Sequence, residues 1–322
     1  MSDPEEALTR DDVVQGYRLF LGRTPESDDI IDAHHGHMKT VQAWRDALFN
    51  SEEFVERHIK PATVQAMDQV LYGPPPAVDH QVSADVLKAM LERVREQWTS
   101  LGEQDPHWSV LSSPDFRKAS LTPEKIADLK RSGQREAQLI DDFEARAGVA
   151  LSRGTCVELG AGVGRITRYL SEKFERVIAV DISPGNLELC AEYMAEEGAH
   201  NVECRLVSSF EDFDSLPEFD VLFSVIVLQH NPPPIQKLIL RSLFSRVRPG
   251  GGVLFQIPTH IPGYTFDAEK YLTEPLREIE MHSLPTAVIL EEMLRYRLRL
   301  LDVTPDPFIG GLGSFTFFAA KF

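Results

Sequence analysis

With 322 residues, 43% of them hydrophobic and 26% charged, the chain is long enough for one large α/β domain plus a smaller unit. A net charge of −17 repels a phosphate backbone and counts against nucleic acid as a partner, and no apolar run approaches the ~20 residues of a membrane span. The acidic start Met1-Ser2-Asp3-Pro4-Glu5-Glu6 lacks the pattern of a secretory leader, and the odd, scattered Cys156, Cys190 and Cys204 read as reduced core thiols. The expectation is a cytoplasmic protein with no metal site.

Residues 10–58 read as helices. Val13, Val14, Tyr17, Leu19, Phe20 and Leu21 supply one apolar face, Gly22-Arg23-Thr24-Pro25 ends it, and Val41, Trp44, Leu48 and Phe49 supply a second. The run Tyr17-Arg18-Leu19-Phe20-Leu21-Gly22-Arg23-Thr24-Pro25, with the later Ser51-Glu52-Glu53-Phe54, resembles a small helical module of bacterial surface-polysaccharide and envelope proteins. That resemblance implies a saccharide setting, or protein contact through these helices. His34, His35 and His37 flank Gly36, do not share one helical face, and are expected in a solvated interhelical loop rather than on a metal.

The segments then divide as a helical module over 1–60, a proline-rich linker over 61–82, a helical arm over 83–150 and a catalytic domain over 151–322. Pro61 and Gly73-Pro74-Pro75-Pro76 mark the linker. In the arm, Val86, Leu87, Met90, Leu91 and Val94 follow helical spacing towards Trp98. Trp98 and Trp108 stand in a turn-rich stretch and either cap a site or pin the arm to the core. Thr122-Pro123-Glu124 starts one helix, and another spans 134–147.

From residue 155 strands and helices alternate: strands at 155–159, 177–181, 202–207, 221–228 and 253–257, helices at 165–173, 184–197 and 235–247. Such βαβ repetition demands right-handed crossovers and a parallel sheet. An irregular insert follows over 258–286, then a helix at 288–297 and two strands at 298–303 and 314–321. The short glycine- and proline-containing link between those strands makes them an antiparallel hairpin.

Val157 and Leu159 suit a strand buried on both faces, and it runs into Gly160-Ala161-Gly162-Val163-Gly164-Arg165 and a helix. Such a turn presents free N–H groups and a helix dipole to a ligand. A dinucleotide fingerprint wants its third glycine where Arg165 stands. Glu158 would face a cationic group well and a pyrophosphate badly, and Asp181, ending the next strand, is placed to accept from ribose hydroxyls.

These residues resemble the first motif of class I S-adenosylmethionine (SAM)-dependent methyltransferases. Val177-Ile178-Ala179-Val180-Asp181-Ile182-Ser183 resembles the second motif, Phe219-Asp220-Val221-Leu222-Phe223-Ser224 with Val227-Leu228-Gln229-His230 the fourth-strand motif, and Arg248-Pro249-Gly250-Gly251-Gly252 the turn before strand five. The resemblance implies a seven-stranded, mostly parallel Rossmann-like sheet with an antiparallel last strand, preceded by a small all-α domain. It implies SAM contacts at Glu158, Gly160, Ala161, Gly162, Gly164, Arg165, Asp181, Ile182 and Ser224. Ser209 and Phe210 take the place where relatives often carry an acid for the adenine.

Ligands of an open α/β sheet lie beyond the carboxyl ends of its strands. His230 is therefore a candidate base, with a structural histidine as the alternative, and Gln229 a candidate acceptor contact. In the insert, Glu280 and His282 are further base candidates, and His260 and Tyr264 candidate acceptor contacts; the alternative is a plain lid. Asn231-Pro232-Pro233-Pro234 lacks the aromatic fourth residue of nucleic-acid amino-methyltransferases and reads as a helix start. The expected activity is O-methylation of a small molecule or sugar hydroxyl; the alternatives are a non-catalytic SAM-binding scaffold and an NAD-dependent oxidoreductase.

Overall fold

The helical pattern near the start and the strand–helix alternation after residue 155 fall in separate units, Met1–Pro75 and Pro76–Phe322. The computed structural model describes residues 6–55, 77–309 and 313–322. Pro61 and the 73–76 proline run lie outside the described residues, as do Gly310 and Gly311 of the final link.

In the first unit, α1 (Arg10–Leu21), α2 (Asp28–His37) and α3 (Val41–Phe49) are followed by a single turn at Glu52–Phe54. Thr9 opens α1 with a capping box: its hydroxyl accepts from the Asp12 N–H, and the Asp12 carboxylate accepts from the Thr9 N–H at 2.8 Å. Val13, Tyr17 and Leu21, four apart, are buried against Trp44 and Leu48, whereas Leu19 points away and is 74% exposed. Arg23 donates twice to the Glu53 carboxylate, at 2.8 and 2.6 Å, so the two halves of the module's motif meet. His34, His35 and His37 lie in the last turn of α2 instead of a loop, and the Tyr17 hydroxyl meets His34 Nε2 at 3.1 Å. Among the described residues no metal-ligand cluster forms, and no helix is long and apolar enough to cross a membrane.

The second unit starts with α4 (Ala84–Gln104), α5 (Pro106–Val110) and α6 (Pro123–Ala147). Residues 77–82, assigned to the linker from neighbouring prolines, belong to this body: Val78 bridges Phe266, and Asp79 N–H donates to the Phe266 carbonyl at 3.0 Å. The two helices expected between Thr122 and Ala147 are one, because Gly133 is tolerated inside it. There α6 crosses the chain after the glycine turn so closely that a Cβ at Gly133 would lie 2.0 Å from the Arg165 carbonyl oxygen. Gly133→Ala should thus lower the melting temperature, although alanine is favoured by about 1 kcal/mol in an unencumbered helix. A raised melting temperature would show that the contact relaxes freely.

The sheet runs β1 (Thr155–Leu159), α7 (Thr167–Lys173), β2 (Arg176–Asp181), α8 (Pro184–Glu196), β3 (Val202–Leu206), α9 (Phe210–Asp214), β4 (Phe219–Ser224), α10 (Pro233–Ser245) and β5 (Val247–Pro258). After α11 (Ala268–Thr273) and α12 (Thr286–Arg295) come β6 (Leu298–Pro305) and β7 (Ser314–Lys321). Strand order is β3-β2-β1-β4-β5-β7-β6; β1 to β5 are parallel, and β7 is antiparallel to both β5 and β6. Apolar side chains fill both faces, with Val157, Ile178 and Phe255 in one cluster and Cys156, Phe223 and Phe318 in the other. The cysteines are free, and Cys156 and Cys190 are buried.

Two strand bounds differ from expectation by more than two residues. β4 ends at Ser224, not 228, because Ile226 adopts φ +63° and Leu228–His230 form a 3₁₀ turn. β5 starts at Val247, its glycines included. The insert is not wholly irregular, since it holds α11.

Candidate functional site

The carboxyl ends of β1, β2 and β4 open into one cavity, and α4 and α5 contribute to its wall. Its floor is the glycine turn. Gly160 sits at φ +77°, and a Cβ there would lie 2.1 Å from Val227 Cγ2, so only glycine allows the β4 exit loop to rest on the turn. Val110, ending α5, lies over Gly162.

Two carboxylates face this floor. Asp181 accepts from the Gly162 N–H through Oδ2 and from the Ser183 N–H through Oδ1, both at 2.8 Å, which ties β2 to the turn and leaves each oxygen a second lone pair. Burial raises its carboxyl above the ordinary range, opposed by these N–H groups. Glu158 is 2% exposed, and among the described residues its Oε2 has no hydrogen-bond partner. Burial pushes this carboxyl up to about 8, and the Thr167 hydroxyl and Arg165 relieve only part of that.

Arg165, the cation in the turn, is paired through one nitrogen, and its buried Nε has no partner among the described residues. Its Nη1 donates to Glu136 at 2.9 Å and to the Ser132 hydroxyl at 3.2 Å, both on α6. Asn186, in the first turn of α8, donates to the Ser109 hydroxyl at 3.3 Å while its Oδ1 has no partner. Two orphaned buried acceptors, one of them a carboxylate, suit a ligand rich in donors or positive charge.

Of the expected cofactor contacts, Glu158, Gly160, Ala161, Gly162, Arg165, Asp181 and Ile182 line the cavity together. Gly164 does not; it faces Cys190, whose Sγ would be 3.0 Å from an added Cβ. Ser224 donates instead to the Leu159 carbonyl and fastens β4 to β1. Ser209 is consumed as the N-cap of α9, in a capping box with Asp212. Phe210 packs on the core, and Phe213, one turn later on α9, supplies the ring in the cavity wall with Val207.

At the other end stand Leu91, Val94 and Trp98 of α4, Ile239 of α10, and His230 with Asn231. Trp98 tilts against His230 with ring centroids 5.2 Å apart, so this tryptophan belongs to the cavity wall. Trp108 pins the arm, carrying the Arg117 guanidinium 3.4 Å above its ring. Partial burial lowers the His230 imidazole to about 4, so it is neutral at physiological pH.

Gln229, His260, Tyr264, Glu280 and His282 lie outside the cavity lining. Glu280 gives its carbonyl to His230 Nδ1 at 3.0 Å. Its carboxylate lies 3.5 Å from His282 Nε2 and 4.0 Å from Arg93, and despite burial it stays below the ordinary carboxylate range. His282 is wedged among Tyr264, Phe266 and Tyr271, with Nδ1 2.9 Å from the Tyr264 hydroxyl. These residues support the wall from behind, and His260 is engaged through its backbone with Gly313. Sequence reasoning did not single out Asn186; its signal is a polar side chain in the first helical turn beyond Asp181, at the sheet's ligand-binding edge.

A family model described as a methyltransferase domain matches residues 156–251, from the second residue of β1 into β5. That segment is similar to a methyltransferase domain. A methyltransferase of Claviceps purpurea is 34% identical over 100 residues, covering 30% of this chain and 29% of that protein. The ubiquinone biosynthesis O-methyltransferase of Methylococcus capsulatus is 30% identical over 111 residues, 34% of this chain and 46% of its own length. The chain therefore spans less than half the length of these curated relatives. Among solved structures, magnesium protoporphyrin IX methyltransferase from Synechocystis with bound S-adenosylhomocysteine gives a TM-score of 0.49 at 17% identity, over 71% of this chain and 99% of that one. The matched segment carries the glycine turn, both carboxylates and His230, whereas Leu91, Val94, Trp98, Ser109 and Val110 of the cavity wall precede it.

Proposed function

We propose that this chain is a SAM-dependent methyltransferase acting on the hydroxyl of a small organic acceptor. The observation that carries the reading is the orphaned Glu158 Oε2 beside the glycine turn. SAM would supply an electrophilic methyl on a sulfonium. Glu158 and Asn186 would accept from the donors of its amino-acid and nucleoside parts, Asp181 from the ribose hydroxyls, and Ile182, Val207 and Phe213 would flank the adenine.

The wall formed by Leu91, Val94, Trp98 and Ile239 offers apolar surface, with His230 and Asn231 as polar points. This favours a compact, largely apolar acceptor over the saccharide suggested by the N-terminal module's sequence. His230 would take the acceptor's proton on Nε2 once the Gln229 amide, which faces that nitrogen at 3.1 Å, swings away. An imidazole near 4 is a poor base for a free alcohol, but an oxygen gaining a methyl group becomes strongly acidic, and the proton then moves downhill.

Calorimetry with SAM and with NAD tests the cofactor; NAD binding without SAM binding would overturn the proposal and favour an oxidoreductase. His230→Ala is expected to cut turnover by about 10²–10⁴-fold with SAM affinity nearly unchanged. Wild-type turnover under saturating SAM should hold between pH 8 and pH 5 and fall as pH drops through about 4. Full turnover by the alanine variant would remove the base and leave His230 as part of the wall.

A further inference from the structure

The strained residue of the cavity is Ile226. A β-branched residue at φ +63° is a backbone outlier, and it persists only where its surroundings over-determine it. Here the restraint is Gln256 on β5, with no solvent exposure, whose Oε1 accepts from the Ile226 N–H at 2.9 Å. A backbone N–H can only donate, so this contact fixes which way the Gln256 amide points. Its Nε2 then donates to Gln229 Oε1 at 3.0 Å and to the Ser314 hydroxyl at 2.7 Å. With its carbonyl occupied, Gln229 turns its own Nε2 towards His230 Nε2, 3.1 Å away. The relay is complete when His230 Nε2 is bare and the proton sits on Nδ1, facing the Glu280 carbonyl at 3.0 Å.

We propose that Gln256 is a positioning residue: through Ile226 it holds the β4 exit loop on the glycine turn, and through Gln229 it sets the imidazole tautomer that keeps His230 Nε2 unprotonated, its lone pair accepting from the Gln229 amide. The inference rests on the methyl-transfer reading for its purpose, but its geometry does not. The same side chain joins the two ends of the site, because Ile226 precedes the Val227 that rests on Gly160, and Gln229 precedes His230. Glu280 and His282 are the titratable groups beside His230, and Glu280 reaches the imidazole through its carbonyl.

The test is the ¹⁵N spectrum of the His230 ring in the full chain, with SAM binding measured separately. In the wild type Nε2 is expected to be bare and Nδ1 protonated. Gln256→Glu keeps the acceptor for Ile226. While the new carboxyl holds its proton it can donate to Gln229 as the amide does, and the bare Nε2 signal should remain. Once that carboxyl ionises, the Gln229 amide must turn over and present its carbonyl to Nε2, so the bare signal should be lost as pH rises. Gln229→Glu leaves the Gln256–Ile226 contact intact and serves if the first variant does not fold; it should lose the bare signal near neutral pH. A protonated Nε2 in the wild type, or a bare Nε2 at every pH in each folded variant, would overturn the proposal. Failure of the wild type to bind SAM would instead count against the methyl-transfer reading and leave the tautomer result standing.

Discussion

Glu158→Gln should weaken SAM binding by about 100-fold near pH 7.5, while making the ligand-free chain more stable than the wild type above pH 8. The first effect is the loss of a charged, buried acceptor, worth up to about 3 kcal/mol. The second follows from the raised carboxyl. The folded glutamate keeps its proton to about 8, whereas an unfolded one loses it near 4.5. Its favourable contribution is therefore full below pH 4.5 and lost as pH rises towards 8, by a few kcal/mol at 1.36 kcal/mol per unit. A neutral amide never meets that cost. The pairing also has a calorimetric signature: at pH 7 a cationic ligand settling on Glu158 should expel about one proton, read as a dependence of binding enthalpy on buffer ionisation. Binding with no proton exchange would exclude the contact.

Asp181→Ala is expected to be the more damaging change, because it acts on the turn as well as on the ligand. It strands the Gly162 and Ser183 N–H groups, each at about 1–3 kcal/mol, and removes the acceptor for the ribose. SAM affinity should fall by more than about 100-fold, and thermal denaturation should show a stability loss of about 2–4 kcal/mol. Asp181→Asn, which keeps one acceptor, should fall between. Wild-type affinity in both variants would refute the ribose role.

The sheet and the floor of the site were legible in the sequence for a physical reason. Parallel strands buried on both faces are apolar runs, and the glycine turn and the acid ending β2 occupy fixed places beside them. The wall was harder to read. Leu91 and Val94 share the helical stripe of Met90, and that spacing looks alike whether the face meets a core or a ligand. Ser209 and Phe210 misled because a capping box consumes the serine and α9 turns Phe213 inward. Gln229 and Gln256 carry no periodic signal; their meaning lies in which atom each amide turns to its neighbour. The single helix through Gly133 escaped because glycine usually interrupts a helix, and here it admits a neighbouring backbone.

The cavity is assembled from two stretches that lie well apart in the chain. Its floor falls within the matched segment of residues 156–251, while Leu91, Val94, Trp98, Ser109 and Val110 are contributed by α4 and α5, far upstream. Mutations at Leu91, Val94 and Trp98 can therefore reshape this wall without touching the glycine turn, whereas Ser109 and Val110 reach the floor itself. Two proteins alike over the matched segment need not share an acceptor, and exchanging residues 84–110 between such proteins is the direct way to move a preference from one to the other.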